Sequence, residues 1–404
     1  MDLSRYLSQV QAFLNKENGL RLADLLYIRG GHAHHLLDTA LEYRPDDLER
    51  ECRDKIDQQL WDDITLLHIR VLISRGLNDY PSAYTEQAAL VQSFLRTFPT
   101  LTRWSLPILY TIHNDLWLLA NEADEQLKIK GEKGGKLEDA ARNINKAFTA
   151  CITDRGPLST SRKWGTYYII NLLFKTYFRL KQQNLCKNVL RAVRASDLPG
   201  VEQFPKSHRV TYRYYLGVLN FLEEDYKKAE AELMVAFKEC HSRAKKNKEQ
   251  ILHFLLPTLL VRGVLPSRAL LDRFPRLGTL YDPLVLAARA GNVKEFDRGL
   301  ARAERPLVAR GTYLTVERAR VVVVRVLFRK VFNLMDRTTK LPVSVFQQAL
   351  AFVGMNIDLA EVECMLANMI YKGYIKGYLS HEKLFLVLSS KDPFPSFKEV
   401  NGLG

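Results

Sequence analysis

The sequence predicts an all-α fold, an irregular helical-repeat solenoid that ends in a winged helix. Three observations carry that expectation. Apolar residues recur at helical spacing from the N-terminus to about position 335, and the interruptions are short and rich in Gly, Pro, Asn or Asp. The stretch 213–241 has the spacing of a tetratricopeptide-like helix pair. Beyond it, the C-terminal segment changes texture and reads as helices followed by a strand hairpin.

In chain order, the first helical region is polar at its very start and amphipathic thereafter, and no run reaches the roughly 18 apolar residues that a spanning helix needs. A soluble, intracellular chain with no membrane partner is expected. The joint at 130–136 is Gly-rich; Gly134-Gly135-Lys136 resembles a phosphate loop, but Leu137 stands where Ser or Thr is required and no strand precedes it. A helix connector is the better reading. Positions 162–180 place Tyr167, Ile170, Phe174 and Phe178 on one face and Trp164, Tyr168 and Leu172 on its neighbour. A helix apolar around most of its girth is buried on two sides, which stacked repeats provide.

In the repeat-like pair, Leu216, Gly217, Ala229, Leu233 and Ala236 fall at the positions where two antiparallel helices approach, with a turn at Glu224-Asp225-Tyr226. Ala287-Ala288 and Gly291-Asn292 suggest a degenerate later copy. A single helix is expected over 313–335, with Val321, Val324, Phe328, Val331, Phe332 and Met335 on its buried face; the four consecutive valines leave some strand ambiguity. Pro342 opens the next helix, Gly354 ends it and Asp358 caps a third. A hairpin follows, from Tyr374 through a turn at 380–383 to Leu388. The expected divisions are 1–200 for N-terminal helical repeats, 201–312 for the tetratricopeptide-like part, 313–390 for the winged helix and 391–404 for a tail.

Charge is uneven. The formal net charge is +14, and residues 241–330 hold 19 Lys/Arg against 7 Asp/Glu while 331–404 hold 7 of each. Concentrated positive charge implies a polyanionic partner, either nucleic acid or an acidic protein segment, unless it is merely a solvated face. On the expected 313–335 helix, Arg318, Arg325 and Arg329 share one stripe with only Glu317 as a nearby carboxylate. Lys330 and Lys340 extend it, and Lys372, Lys376 and Lys383 lie at the end of the third helix and in the hairpin. Together they are the expected nucleic-acid contacts, binding RNA or DNA without sequence specificity. A base-reading role fits poorly, because the third helix opens with Asp358, Glu361 and Glu363.

No catalytic, cofactor or metal site is expected. The five cysteines are scattered with no CxxC pair and read as buried, reduced thiols. His32, His34 and His35 do not share one helical face and read as a solvated loop. No nucleophile elbow, dinucleotide fingerprint or HExxH string occurs, and carboxylate pairs such as Asp62-Asp63 stand in exposed contexts.

A helical array running into a terminal winged helix resembles PCI-domain proteins. The strings Val91-Gln92-Ser93-Phe94-Leu95-Arg96, Lys163-Trp164-Gly165, Arg209-Val210-Thr211-Tyr212, Asp225-Tyr226-Lys227-Lys228-Ala229-Glu230, Leu366-Ala367-Asn368-Met369-Ile370-Tyr371, Lys376-Gly377-Tyr378 and Pro393-Phe394-Pro395 are similar to the PCI subunit of the second TREX complex, over roughly 90–397. That resemblance implies a non-enzymatic scaffold of mRNA export, acting in the nucleus and at nuclear pores, with the cytoplasm as a further location. It implies pairing of the winged helix with a large PCI-domain scaffold subunit, and a small acidic disordered subunit of the Sem/DSS type on the helical surface. Related proteins imply two alternatives, a signalosome-like complex or a splicing-linked one. A winged-helix DNA-binding regulator is the reading from a different class.

Overall fold

A computed structural model of the chain describes residues 1–397 and 400. The chain divides into two compact units, Met1–Tyr212 and Arg213–Gly404.

The first unit is wholly helical among its described residues: α1 (Leu3–Asn15), α2 (Gly19–Leu25), α3 (Ala33–Ala40), α4 (Pro45–Lys55), α5 (Trp61–Gly76), α6 (Tyr80–Thr97), α7 (Leu106–Ile129), α8 (Lys136–Ile152), α9 (Thr166–Arg179) and α10 (Asn184–Ala195), with short 3-10 turns between some of them. Asp2, Asn18 and Asp79 each accept a backbone N–H of the turn they precede, which fixes where α1, α2 and α6 begin. Helix α9 buries nearly its whole girth, from Tyr167 through Ile170, Leu173 and Phe174 to Tyr177, as its apolar pattern predicts. The Gly-rich joint is a connector, and its backbone is pinned. The Asp124 carboxylate of α7 accepts the N–H groups of Gly135 (2.8 Å), Lys136 (2.9 Å) and Leu137 (2.9 Å). The chain's own anion thus occupies the helix N-terminus that a phosphate would seek.

The second unit begins within α11 (Lys206–Leu222) and continues with α12 (Tyr226–Glu239), α13 (Lys245–Val261), α14 (Arg268–Arg273), α15 (Pro275–Ala290) and α16 (Val293–Ala309). The repeat reading of α11 and α12 rests on contact distance: a Cβ placed on Gly217 would lie 2.6 Å from Leu233 Cγ. The degenerate later copy is α15 and α16, joined where Gly291 turns left-handed (φ +69) and Asn292 caps through Glu295 N–H at 3.0 Å.

The expected continuous helix over 313–335 is in fact two, α17 (Tyr313–Arg318) and α18 (Arg320–Leu334). The break at Ala319 lets Arg320 form a two-pronged ion pair with Asp297 of α16, at 2.8 and 3.1 Å. The valine run is helical, with Val322, Val323 and Val324 buried; Val321 is half-buried and Met335 exposed, so the buried face is rotated from the expected one.

The winged module consists of α18, β1 (Lys340–Pro342), α19 (Val343–Phe352), α20 (Leu359–Tyr371), β2 (Gly377–Ser380) and β3 (Phe385–Leu388). The strands form one antiparallel sheet in the order β1-β3-β2, with Leu386 opposite both Leu341 and Leu379. Phe328 of α18 and Phe346 of α19 meet edge to face at 5.0 Å. The hairpin is shorter than the pattern suggests, since Tyr374 and Ile375 are buried ahead of β2, and β1 is an additional strand.

Two minor expectations change. Cys52, Cys151, Cys186 and Cys240 are buried, but Cys364 is exposed on α20. His34 and His35 lie in α3, while His32 is half-buried, stacked 6.2 Å from Tyr6 with Nε2 on Leu25 O at 2.8 Å. No described helix is long and apolar enough to cross a membrane.

Candidate nucleic-acid interface

The cations that the sequence points to divide, in the structure, by what each side chain already holds. Arg318 closes α17 and is not free: Nη1 donates to Glu224 at 2.6 Å and to the Tyr226 hydroxyl at 3.1 Å. Glu224 is a carboxylate the linear pattern did not place beside the arginine row, and its hydrogen bond holds the Arg318 guanidinium still more firmly protonated.

Arg325 departs furthest from expectation. It is 2% exposed, so it is no part of a surface stripe. Nε donates to Tyr374 O at 2.9 Å, Nη2 donates to Pro395 O, and the guanidinium lies 4.1 Å from the Phe397 ring centroid. Burial, then the neighbouring Arg329 charge, lowers its pKa to about 10. Its work is structural, tying the tail to α18. Arg325 is therefore removed from the expected contact set, and the three-arginine row does not exist as a row.

Arg329 is exposed on α18 and makes no side-chain hydrogen bond or ion pair among the described residues. Lys330 is exposed, with Nζ donating to Ala290 O at 2.8 Å. Lys340 in β1 places Nζ 5.3 Å from the Phe385 ring. Lys376 is exposed and paired to Asp392 at 3.2 Å. Lys372, at the end of α20, and Lys383, in the hairpin turn, are exposed and carry no side-chain hydrogen bond or ion pair among the described residues. The cations open to an anion are thus Arg329, Lys340, Lys372 and Lys383, with Lys330 and Lys376 available at the loss of a surface contact worth roughly 1 kcal/mol or less.

Two basic residues escaped the sequence reading. Arg337 and Lys391 are 54 positions apart, yet both line the same hollow of about 300 Å³ as Arg329. Nothing local in the sequence joins them; β1 and β3 do so by pairing.

Two of the carboxylates at the start of α20 are engaged within the module. Asp358 caps its own helix through Glu361 N–H at 2.8 Å, and Glu363 holds His381 of the hairpin turn at 2.8 Å. The module's large exposed apolar side chains include Phe352 (91% exposed) at the end of α19, Tyr371 (89%) at the end of α20, Leu334 (81%) at the end of α18 and Tyr378 (62%) in β2.

A PCI domain family profile matches residues 300–390, a stretch that contains the whole winged module. The chain is 41% identical to "Protein CSN12 homolog" of Schizosaccharomyces pombe, with 98% of each chain covered. It is 34% identical to "PCI domain-containing protein 2" of Xenopus laevis and to "PCI domain-containing protein 2 homolog" of Drosophila melanogaster, again over 98% of both chains.

Proposed function

Because the chain belongs to the family of PCI-domain proteins that includes these CSN12 homologs and PCI domain-containing proteins 2, we propose that it is a non-enzymatic scaffold subunit whose winged helix docks on a second PCI subunit. The observation that carries this reading is the uncovered pair Tyr371, at the end of α20, and Tyr378, in β2, an edge strand of the sheet against which α20 packs, with Phe352 exposed at the end of α19. Exposed aromatics and an unpaired edge in one small module are what a protein partner covers.

The name CSN12 carried by relatives along the whole chain supports a signalosome-like assembly ahead of the mRNA-export complex. Membership of the second TREX complex, with action in the nucleus and at its pores, is the second reading, and the string resemblance supports it. In either assembly the open cations of the winged module meet an RNA or DNA backbone without reading sequence. A small acidic subunit is part of the same proposal. A cleft of about 710 Å³ among α13, α15 and α16, lined by Arg276, Arg302 and Arg310 over Leu277 and Leu307, supports it.

Purification of the tagged chain at native abundance tests the assembly. Co-isolation of a larger PCI-domain protein, lost on Tyr371→Asp together with Tyr378→Asp, is the expected result. A chain that runs alone, or keeps its partner through both substitutions, removes the docking face from the proposal. Association with nucleic acid is tested by salt titration. Lys372→Glu with Lys383→Glu is expected to flatten the slope of log affinity against log salt by about 1 to 2, for one or two lost phosphate contacts.

A further inference from the structure

The hollow at the end of α18 is chemically distinct from the rest of the basic surface. Several other cations of the second unit are matched: Arg318 of α17 by Glu224, Lys376 by Asp392, and Arg325 by two carbonyls. Arg329, Arg337 and Lys391 line one hollow, and none of the three makes a side-chain hydrogen bond or ion pair among the described residues. Asn333, Thr339 and Ser390 add an amide and two hydroxyls to its wall. Asp392 is the one carboxylate there, and Lys376 already holds it at 3.2 Å.

The backbone that presents Arg337 is itself unusual. Asp336 and Arg337 are consecutive non-glycine residues in the left-handed region, at φ 52 and φ 60. Each such residue costs about 1 to 3 kcal/mol unless its surroundings enforce it. Arg337 N–H donates to Phe332 O at 3.0 Å, so the end of α18 holds this turn and sets where the Arg337 side chain leaves the backbone.

We propose that this hollow binds the terminal phosphomonoester of a nucleic-acid strand. The proposal rests on the nucleic-acid reading above and sharpens it. A phosphodiester within a strand carries one negative charge and two free oxygens. A terminal monoester carries about −1.5 to −2 at pH 7 and three acceptor oxygens. Three unmatched cations in one concave site over-neutralise the first and fit the second, with the arginine forks suited to its paired oxygens. A strand end is favoured over a phosphorylated peptide because four more exposed cations, Lys330, Lys340, Lys372 and Lys383, stand on the same module for the rest of the strand, whereas a peptide would need an adjoining groove for its flanking side chains.

The test compares short single-stranded oligonucleotides of one sequence, ending in a 5′-phosphate, a 3′-phosphate or hydroxyls only, by fluorescence anisotropy with the full chain. A phosphate at one of the two ends is expected to tighten binding about tenfold, and which end it is identifies the strand polarity. Arg337→Asn, chosen because Asn tolerates the left-handed backbone, and Lys391→Ala are each expected to abolish that advantage. Their binding to the hydroxyl-ended strand should fall no more than about threefold, since each removes one contact of a dispersed surface. The advantage should also shrink below about pH 6, where the monoester becomes a monoanion. Equal affinity for all three strands overturns the proposal while leaving the nucleic-acid reading intact; no binding of any strand overturns both. Survival of the advantage in Arg337→Asn, or displacement by a phosphoserine peptide but not by a mononucleotide carrying its phosphate at the preferred end, overturns it as well. Unchanged melting temperatures of both variants show that the hollow, and not the fold, has been altered.

Discussion

The Arg325 guanidinium lies 4.1 Å from the centroid of the Phe397 ring, while its own nitrogens donate to Tyr374 O and Pro395 O. One side chain therefore fastens the C-terminal segment, the start of the hairpin and α18 together. Replacing it leaves two buried carbonyls without donors, each worth about 1 to 3 kcal/mol, and Glu adds an unmatched buried charge. Arg325→Glu is expected to destabilise the chain by about 3 kcal/mol or more, and Arg329→Glu, on an exposed position, by about 0.5 kcal/mol or less. Urea unfolding of the two variants checks this. Equal midpoints would show that Arg325 ties nothing.

The second prediction concerns the one close helix contact that the sequence announced. A methyl group at position 217 would come within 2.6 Å of Leu233 Cγ and 2.8 Å of its Cδ2. Gly217→Ala gains helix propensity of about 1 kcal/mol. It loses about 1 to 3 kcal/mol to overpacking between α11 and α12. A net loss is expected in the parent chain. Leu233→Ala is itself less stable by about 2 to 5 kcal/mol for the lost buried side chain. In that background the same Gly217→Ala change is expected to be neutral or stabilising, and thermal denaturation of the two single variants and the double variant measures the coupling.

Those two sites show which parts of the molecule were legible. Gly217, Ala229, Leu233 and Ala236 announced themselves because close helix approach demands small residues at fixed spacing, a local rule. The order of the winged module was readable through its punctuation, with Asp358 capping α20 and Gly373 turning left-handed after it. Strand β1 was not, since three residues ending in Pro342 carry no alternation and owe their conformation to β3. The break at Ala319 has no Gly or Pro to mark it, and is accompanied by the pairing of Arg320 with Asp297. For the candidate site, the four-residue spacing of Arg325 and Arg329 located them on one helix, yet spacing says nothing of what covers a face. Pro395 and Phe397 cover Arg325 from some seventy positions downstream. Arg337 and Lys391 were hidden for the same reason.

A third prediction follows from Asp124, whose two oxygens accept three successive N–H groups at the start of α8. Asp124→Ala is expected to destabilise the chain by about 2 kcal/mol, the upper part of the range for a lost N-cap. Inorganic phosphate should raise the melting temperature of this variant more than that of the parent chain, because the vacated helix N-terminus accepts an anion. Identical phosphate responses would mean the loop collapses once the carboxylate is gone.

The last prediction is a pH dependence with opposing contributions. Asp115 is fully buried in α7; Oδ2 accepts Ile28 N–H at 3.3 Å and Oδ1 has no partner among the described residues. Burial raises its pKa from 3.8 to about 7, against the pull of the Ile28 amide and of Arg29 and Arg75. Between those two values the folded chain binds a proton that the unfolded chain has lost, so this contribution to stability is complete below pH 3.8 and disappears as pH rises through about 7. His68 and His113 act the other way. Burial lowers them from 6.5 to about 3 and about 4, so the unfolded chain binds the extra protons and stability falls as the solution is acidified below pH 6.5. Asp115→Asn removes only the first effect, because both histidines remain in the variant. Its melting temperature relative to the parent chain should therefore climb steadily from about pH 5 to about pH 8, whatever the fixed offset introduced by the new amide. A difference that stays flat across that interval would mean that Asp115 is already ionised in the folded chain at pH 5, with its charge matched by Arg29 and Arg75 more fully than the geometry indicates.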